Sequence, residues 1–142
     1  MVGGQALDLA AENQALEADA LRDIHTLKTG ALIAASAEAG AIGASASTAQ
    51  RLALVKFATA IGLAFQVTDD VLDVTGDSFS LGKTAGKDIK AKKSTYVSAL
   101  GLAGAKKEAD RLLNAALEAL DTFGDRADPL RKLARQMVHR RA

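Results

Sequence analysis

The sequence predicts an all-α protein, built as a helical bundle of about five to six helices. Alanine, leucine and charged residues dominate a chain of 142 residues that contains a single proline and 4% aromatic residues. Apolar residues also recur at helical spacing over most of the chain. A chain of this length is expected to form one domain with a core of its own.

Charge and cysteine content exclude several classes of function. Eighteen basic and seventeen acidic residues leave a formal charge of +1, so the chain as a whole has no field that would recruit nucleic acid. The absence of cysteine excludes disulfides and thiolate metal sites and favours a reducing compartment. No uncharged run reaches the roughly 18 residues of a membrane span. We therefore expect a soluble, cytoplasmic protein without stable membrane insertion.

The first two helices are predicted from apolar periodicity. A helical pattern starts at once in "GGQALDLAAEN", without a preceding cap or leader. A second pattern runs from about Glu17 through "LRDIHTLKTGALIAASAEAGAIG", and its second half is rich in alanine and glycine. Small residues of this kind suit close packing between helices, so we expect this helix to approach a neighbour closely.

The longest predicted helix spans about residues 48–74. Ser47 followed by Gln50 fits a capping box at its start, and Gly76 is expected to end it. Residues 75–93 then have three glycines and five lysines without helical periodicity, which predicts a long loop of the kind that is usually functional or mobile. Helical patterning returns in "STYVSALG" and "AKKEADRLLNAALEALDTFG", and Asp128 and Pro129 are predicted as N-cap and first residue of a final helix.

A polar stripe on the long helix is the strongest candidate for a functional site. A rotation of about 100° per residue gathers six residues into a sector of roughly 100°, namely Thr59, Gly62, Gln66, Asp69, Asp70 and Asp73. The rest of this helix is mostly apolar, so the stripe is expected to face a cavity rather than open solvent. Grouped carboxylate oxygens suit Mg²⁺, which shares its coordination with waters and substrate phosphates. The alternative is a solvated acidic helix end.

Lysines near this stripe supply cations for phosphate oxygens. The loop that follows it contains Lys83, Lys87, Lys90, Lys92 and Lys93. Its "GKT" does not belong to a P-loop, because the required earlier glycine would fall at Asp77 and no strand precedes it. Lys28, in "HTLKTGAL", is a further charged residue within an alanine-rich segment. The simpler interpretations are a solvated loop and a lysine that extends its ammonium group to the surface.

Five motifs together resemble one family. "GGQALDL", "HTLKTGAL", "GLAFQVTDDVLDVTGD", "LGKTAGKD" and "KKSTY" occur in the order and at the spacings of the C-terminal half of trans-isoprenyl diphosphate synthases, and are most similar to the bacterial farnesyl diphosphate synthases. The resemblance covers nearly the whole chain. It implies an isoprenoid synthase (terpene synthase-like) fold, with residues 1–142 as the C-terminal portion of a single all-helical polyprenyl synthase domain and residues 75–93 as a basic loop facing phosphate.

The resemblance assigns metal ligands and residues that support them. Asp69, Asp70 and Asp73 match an aspartate-rich motif that binds Mg²⁺, with Mn²⁺ as an alternative ion. Asp69 is expected to be a direct ligand, and the other two to act through water. Gln5 and Asp8 match a motif to which we assign only a supporting role behind the substrate-binding residues.

The same resemblance assigns the substrate contacts. Lys28 and Thr29 match a pair that holds the allylic diphosphate and borders the developing carbocation, so both are expected to be catalytic together with Asp69. Gln66 matches a glutamine beside that diphosphate. Lys83 and Lys93 match lysines that bind its oxygens.

The implied reaction is a Mg²⁺-dependent prenyl transfer. Dimethylallyl or geranyl diphosphate would lose diphosphate, and the allylic cation would be attacked by isopentenyl diphosphate to give farnesyl diphosphate. The family also implies a homodimer. However, the sequence contains no second cluster of paired aspartates, which the family carries in an N-terminal half. The chain alone is therefore expected to be inactive, with an exposed apolar stripe that favours self-association or binding of the missing half.

Two other functions fit parts of the pattern. A terpene cyclase also carries metal ligands at i, i+4 and i+8, the spacing of Asp69, Asp73 and Asp77, but that motif normally has Ser or Thr in the middle and Glu last. It would also leave Lys28 and Thr29 unexplained. A non-catalytic helical fragment or interaction module that kept these residues without activity is the other alternative.

Overall fold

The computed structural model describes residues 2–75 and 94–140, which form six α-helices. Their bounds are α1 Val2–Ala10, α2 Ala18–His25, α3 Ala31–Gly43, α4 Thr48–Thr75, α5 Tyr96–Ala119 and α6 Asp128–Val138. A π-helical turn, Thr26–Gly30, joins α2 to α3, and a 3₁₀ segment, Asp121–Ala127, precedes α6. These residues contain no β-strand. The predicted all-α bundle is confirmed.

The start of α4 follows the predicted capping box. The Ser47 backbone N–H donates to the Gln50 side-chain oxygen at 2.9 Å, and the Gln50 N–H donates to the Ser47 hydroxyl at 3.3 Å. Two of the four N–H groups that a helix start leaves without partners are satisfied in this way. The helix then continues for 28 residues, close to the predicted length.

The second predicted helix is continuous, but it is not α-helical throughout. The chain stays helical from Ala18 to Gly43, with the π-helical turn of five residues inserted between α2 and α3. Within this turn the Ala31 N–H donates to the Thr26 carbonyl, five residues back. π-Helical turns are rare and are frequently found at functional sites, and this one contains Lys28 and Thr29.

Gly101 divides α5 into a short first part and a long second part. Its dihedral angles, φ 72° and ψ 162°, are accessible to glycine and strained for other residues. The short part begins with a capping box in which Thr95 and Ser98 exchange hydrogen bonds. The two separate helical patterns in the sequence thus correspond to the two sides of this kink.

The prediction that Asp128 caps the final helix is wrong. Asp128 already has helical dihedral angles, φ −56° and ψ −38°, and Ala127 precedes the helix without a side-chain cap. The 3₁₀ segment runs directly into α6, so no extended residue is left to serve as a cap. The Asp128 carboxylate instead pairs with Arg131, one turn later, at 2.8 Å.

Helix α4 lies at the centre of the fold, packed against α5 along much of its length and against α3 and the π-helical turn on another side. Its buried residues include Ile61, Ala64 and Val67, which join Leu112 and Leu113 of α5 in one core. In length and apolar content α4 also resembles a membrane span, but a core helix has the same properties.

Several large apolar side chains remain exposed on the first part of the chain. They lie on α1, the π-helical turn, α3 and the first half of α4, with 46–61% of each residue accessible: Leu7, Leu9, Leu27, Leu32, Ile42 and Leu52. Exposed aliphatic residues in such number mark a surface suited to a partner.

Candidate functional site

The π-helical turn and α4 touch at a pair of glycines. A side-chain carbon built on Gly62 of α4 would lie only 3.2 Å from the Cα atom of Gly30. Helical spacing puts Gly62 on the same face of α4 as Gln66, Asp69 and Asp73. This face is therefore turned toward the segment that carries Lys28 and Thr29. Asp69 lies about 10 Å further along the helix axis than Gly62.

Helix α1 holds the π-helical turn from the other side. A Cβ atom on Gly4 would lie 2.3 Å from the Lys28 backbone nitrogen, a distance that no side chain can adopt. The two backbones therefore touch, and only glycine fits at position 4. Sequence reasoning missed this residue, although a glycine inside a helical apolar pattern is itself a signal of close packing.

Lys28 and Asp8 form an ion pair between the π-helical turn and α1. The Lys28 ammonium group donates to the Asp8 carboxylate at 2.6 Å, and only 30% and 17% of the two side chains are exposed. Asp8 thereby fixes the direction of Lys28, which is the geometry that a supporting role requires. Thr29 is partly buried beside it, and Gln5, the other predicted supporting residue, is exposed.

The exposed edge of the acidic stripe contacts the C-terminal end of the described chain. The Arg140 guanidinium donates to the Asp69 carboxylate and lies over the Phe65 ring, with its carbon 4.4 Å from the ring centroid. Sequence reasoning did not assign Arg140, and the basic sequence "HRR" was the available signal. The interaction gives Asp69 a cationic neighbour.

The other two aspartates of the stripe differ from Asp69 and from each other. Asp73 is partly buried, and its Oδ2 atom has no hydrogen-bond partner among the described residues. Asp70 is only 7% exposed, and its carboxylate accepts a hydrogen bond of 2.7 Å from the Tyr96 backbone N–H. The predicted stripe is thus split, since Asp70 is turned toward α5. Within residues 2–75 and 94–140, no three acidic or histidine side chains are grouped closely enough to hold a metal.

Tyr96 lies next to Asp70, the buried aspartate of the stripe. It is 1% exposed, its ring stacks on His25 with centroids 5.8 Å apart, and its hydroxyl has no hydrogen-bond partner among the described residues. Burial raises the pKa of Tyr96 to about 12, because the phenolate would be poorly solvated; Arg22 opposes this effect and nearby carboxylates add to it, namely Glu108, Asp70 and Asp19.

The site residues that can be placed therefore lie on two elements. Lys28 and Thr29 are on the π-helical turn, and partly buried Gln66 and Asp73 and exposed Asp69 are on the face of α4 turned toward it. The predicted lysines Lys83 and Lys93 lie outside the described residues. A cation on one element and carboxylates on the other can bind a phosphate group and a divalent ion between them.

A cavity of about 310 Å³ lies between α4, α5 and α6. Its lining includes Thr68, Leu72 and Lys106. Helical spacing places Thr68 and Leu72 on the side of α4 away from Gln66 and Asp73. Arg140, which pairs with Asp69, also lines this cavity, so the cavity borders the candidate site at that arginine.

Comparison with known proteins identifies the family. The polyprenyl synthetase family model matches residues 1–132. The chain belongs to the polyprenyl synthetase family. It is 47% identical over 128 residues to the farnesyl diphosphate synthase of Escherichia coli, covering 89% of this chain and 43% of that protein. It is 40% identical over 141 residues to the geranylgeranyl diphosphate synthase of Cyanophora paradoxa, covering 99% of this chain and 47% of that protein.

Comparison with a solved structure supports the same family assignment at the level of the fold. The geranyltransferase from Helicobacter pylori, complexed with magnesium and isoprenyl diphosphate, superposes with a TM-score of 0.76 at 34% identity. The match covers 97% of this chain and 44% of that structure. The chain thus spans less than half the length of these relatives, and the isoprenoid synthase fold predicted from the motifs is confirmed.

Proposed function

We propose that the protein to which this chain belongs is a Mg²⁺-dependent prenyltransferase that condenses an allylic diphosphate with isopentenyl diphosphate. Farnesyl diphosphate is the proposed product, on the resemblance of the motifs. The observation that carries the proposal is the approach of the π-helical turn, which contains Lys28 and Thr29, to the carboxylate-bearing face of α4 at Gly30 and Gly62. Family membership supplies the chemistry that this geometry fits.

The donor set on α4 is suited to Mg²⁺. Asp69 and Asp73 are one helical turn apart on one face, and Asp73 has a buried carboxylate oxygen without a hydrogen-bond partner among the described residues. Mg²⁺ typically takes one or two carboxylates and completes its octahedron with waters and phosphate oxygens. Asp69 and Asp73 would hold the ion, and when bound it would neutralise the charge that develops on the leaving diphosphate.

The residues of this chain would act on the two ends of the breaking bond. Lys28, held in place by Asp8, would bind a diphosphate oxygen and stabilise its developing negative charge. Thr29 would border the allylic carbon, and Gln66 would donate to the diphosphate from α4. The carbon–oxygen bond of the allylic substrate breaks, the alkene of isopentenyl diphosphate forms the new carbon–carbon bond, and a proton is then lost.

We also propose that this chain needs a partner for activity. It covers 43% of the Escherichia coli farnesyl diphosphate synthase, and several large apolar side chains of α1, α3 and α4 are exposed. An N-terminal helical half, or a second copy of the chain in a homodimer, would cover them. The chain incubated with Mg²⁺, geranyl diphosphate and isopentenyl diphosphate should give no farnesyl diphosphate. Formation of this product at a catalytic rate would contradict the proposal of inactivity.

The binding part of the proposal can be tested by calorimetry with Mg²⁺ and inorganic pyrophosphate. Asp69→Asn and Lys28→Ala should each weaken binding about tenfold or more, since each removes a charge-assisted contact. Exposed residues outside the site serve as matched controls, with Asp121→Asn and Lys107→Ala expected to leave binding unchanged. Equal losses in site and control variants would mean that binding depends on overall charge and not on this site.

A further inference from the structure

The residues Ser94, Thr95 and Tyr96 tie the start of α5 to three other parts of the molecule. The Ser94 hydroxyl donates to the Gln14 carbonyl and accepts from the Leu16 N–H at 3.0 Å, which fastens the connection between α1 and α2. Thr95 caps α5 itself, and the Tyr96 ring stacks on a histidine of α2. These three residues belong to the "KKSTY" motif, in which the resemblance to the family assigns a role only to Lys93.

Asp70 supplies the contact between this segment and α4. Its carboxylate accepts from the Tyr96 N–H at 2.7 Å, and Tyr96 is the first residue of α5. The first N–H groups of a helix lack partners within it, and the helix N-terminus carries partial positive charge. A carboxylate near the negative C-terminal end of α4 is thereby stabilised by the positive end of α5.

We propose that Asp70 is a positioning residue that acts through the start of α5 and is not a metal ligand. Asp70, Ser94, Thr95 and Tyr96 together form what we name the α4–α5 clasp, which holds the carboxyl half of α4 in a fixed rotation. Asp69 and Asp73 then keep their orientation toward the π-helical turn. The consequence for metal binding by Asp69 and Asp73 rests on the proposed function. The α4–α5 clasp itself does not depend on that function.

The burial of Asp70 explains why it contributes to the α4–α5 clasp and not to metal binding. With 7% of the residue exposed and one carboxylate oxygen accepting from the Tyr96 N–H, Asp70 has little access to an ion shared with solvent waters. Asp69, the preceding residue, has 48% of its side chain exposed, and the Arg140 contact that an ion would displace there lies at the surface. Two adjacent aspartates at the same helix end therefore have separate tasks.

Replacement of Asp70 distinguishes a positioning role from a ligand role. Asn is as good an acceptor for a helix N-terminus as Asp, whereas Ala has no acceptor. In the full chain, Asp70→Asn should leave the rate of hydrogen exchange at the Tyr96 amide unchanged, and Asp70→Ala should accelerate it on the order of tenfold. Tyr96 is the only tyrosine and there is no tryptophan, so intrinsic fluorescence gives a second, local readout.

Binding of Mg²⁺ with inorganic pyrophosphate gives the decisive comparison. Asp70→Asn should bind within about threefold of the unmodified chain, whereas Asp69→Asn should lose about tenfold or more without change at the Tyr96 amide. Loss of binding in Asp70→Asn as large as in Asp69→Asn, with the Tyr96 amide unchanged, would overturn the proposal. If Asp70→Ala does not fold, Ser94→Ala loosens the clasp from its other side and should also accelerate exchange at Tyr96.

Failure of the proposed function would give a different result. If the unmodified chain binds neither Mg²⁺ nor pyrophosphate, the metal-site proposal fails for this chain, while exchange at the Tyr96 amide in the Asn and Ala variants still decides the clasp. Unchanged exchange in both Asp70→Ala and Ser94→Ala would overturn the clasp whatever the chain binds.

Discussion

Two ion pairs flank the candidate site, and they are held in different ways. Lys28 and Asp8 join two helical segments whose backbones touch, with 30% and 17% of their side chains exposed. Arg140 and Asp69 join α4 to the residues that follow α6, with 32% and 48% exposed. The first pair is fixed by its scaffold, whereas the second depends on one side chain near the end of the described chain.

The difference indicates how the site is prepared for a ligand. A lysine that an aspartate already orients needs little rearrangement to bind phosphate, so Asp8 is expected to act by orienting Lys28. The arginine contact at Asp69 is exposed and weak, so a divalent ion can displace it. One half of the site is therefore pre-organised and the other half is adjustable.

The largest expected effect comes from Gly4→Ala, which disrupts the backbone contact that supports the Lys28–Asp8 pair. The new methyl group would overlap the Lys28 backbone, so α1 must shift or detach. Overpacking of this kind costs about 2–3 kcal/mol of unfolding free energy. Denaturant unfolding measures it, and pyrophosphate binding should weaken in parallel as Lys28 loses its orientation.

Gly3→Ala is the matched control for this change. Gly3 is in the same helix and has nothing within 4 Å of an added Cβ atom. Alanine is the better helix former by about 1 kcal/mol, so Gly3→Ala should leave stability unchanged or raise it. Equal stability of both variants would show that the backbones of α1 and the π-helical turn do not touch in solution.

Asp8→Ala removes the orienting partner and leaves the backbone contact intact. The partly buried pair should contribute about 1 kcal/mol to the unfolding free energy. Pyrophosphate affinity should fall, because Lys28 would have to be ordered on binding. An unchanged affinity, measured by calorimetry, would mean that Asp8 does not prepare Lys28 for the ligand.

Tyr96 is buried where the start of α5 contacts α4, and it provides an environment to compare with the two ion pairs. The substitution Tyr96→Phe tests this environment. Tyr96 loses its proton near its ordinary pKa of 10 when unfolded but only at about 12 when folded. Between these values the unfolded state binds fewer protons, so folding stability that is complete below pH 10 decreases as pH rises. Tyr96→Phe should lose less stability over this range.

Near neutral pH the same substitution should be close to neutral, within about 1 kcal/mol, since the hydroxyl has no hydrogen-bond partner among the described residues. Tyrosinate absorbance reports this group alone, because the chain has one tyrosine. A tyrosinate titration near pH 10 in the folded chain would contradict the burial of Tyr96.

The smallest expected effect on stability comes from Arg140→Ala, which breaks the adjustable pair. An exposed ion pair and a cation–π contact together contribute less than about 1 kcal/mol. Affinity for Mn²⁺ alone should rise about two- to fivefold, because Asp69 no longer has a competing cation. Arg135→Ala, at an exposed position of α6, is the control. Weaker Mn²⁺ binding in Arg140→Ala would contradict the displacement of this arginine by metal.

Much of the fold could be predicted from local patterns. The capping box at Ser47 and Gln50 placed the start of α4, because both partners lie within four residues of each other. The assignment of Asp128 failed, since the sequence does not reveal that a 3₁₀ segment continues into α6. The π-helical turn also escaped prediction, because apolar periodicity over five residues does not distinguish it from an α-helix.

The sequence by itself determined the helical class, the family and which side chains can carry metal and phosphate chemistry, because periodicity and residue type are local properties. The tertiary structure decided how those side chains are used. Asp69 and Asp70 are adjacent and chemically identical, yet one pairs with Arg140 at the surface and the other with the start of α5 in the interior. Burial and the ends of neighbouring helices make that distinction, and both depend on residues far away in the chain.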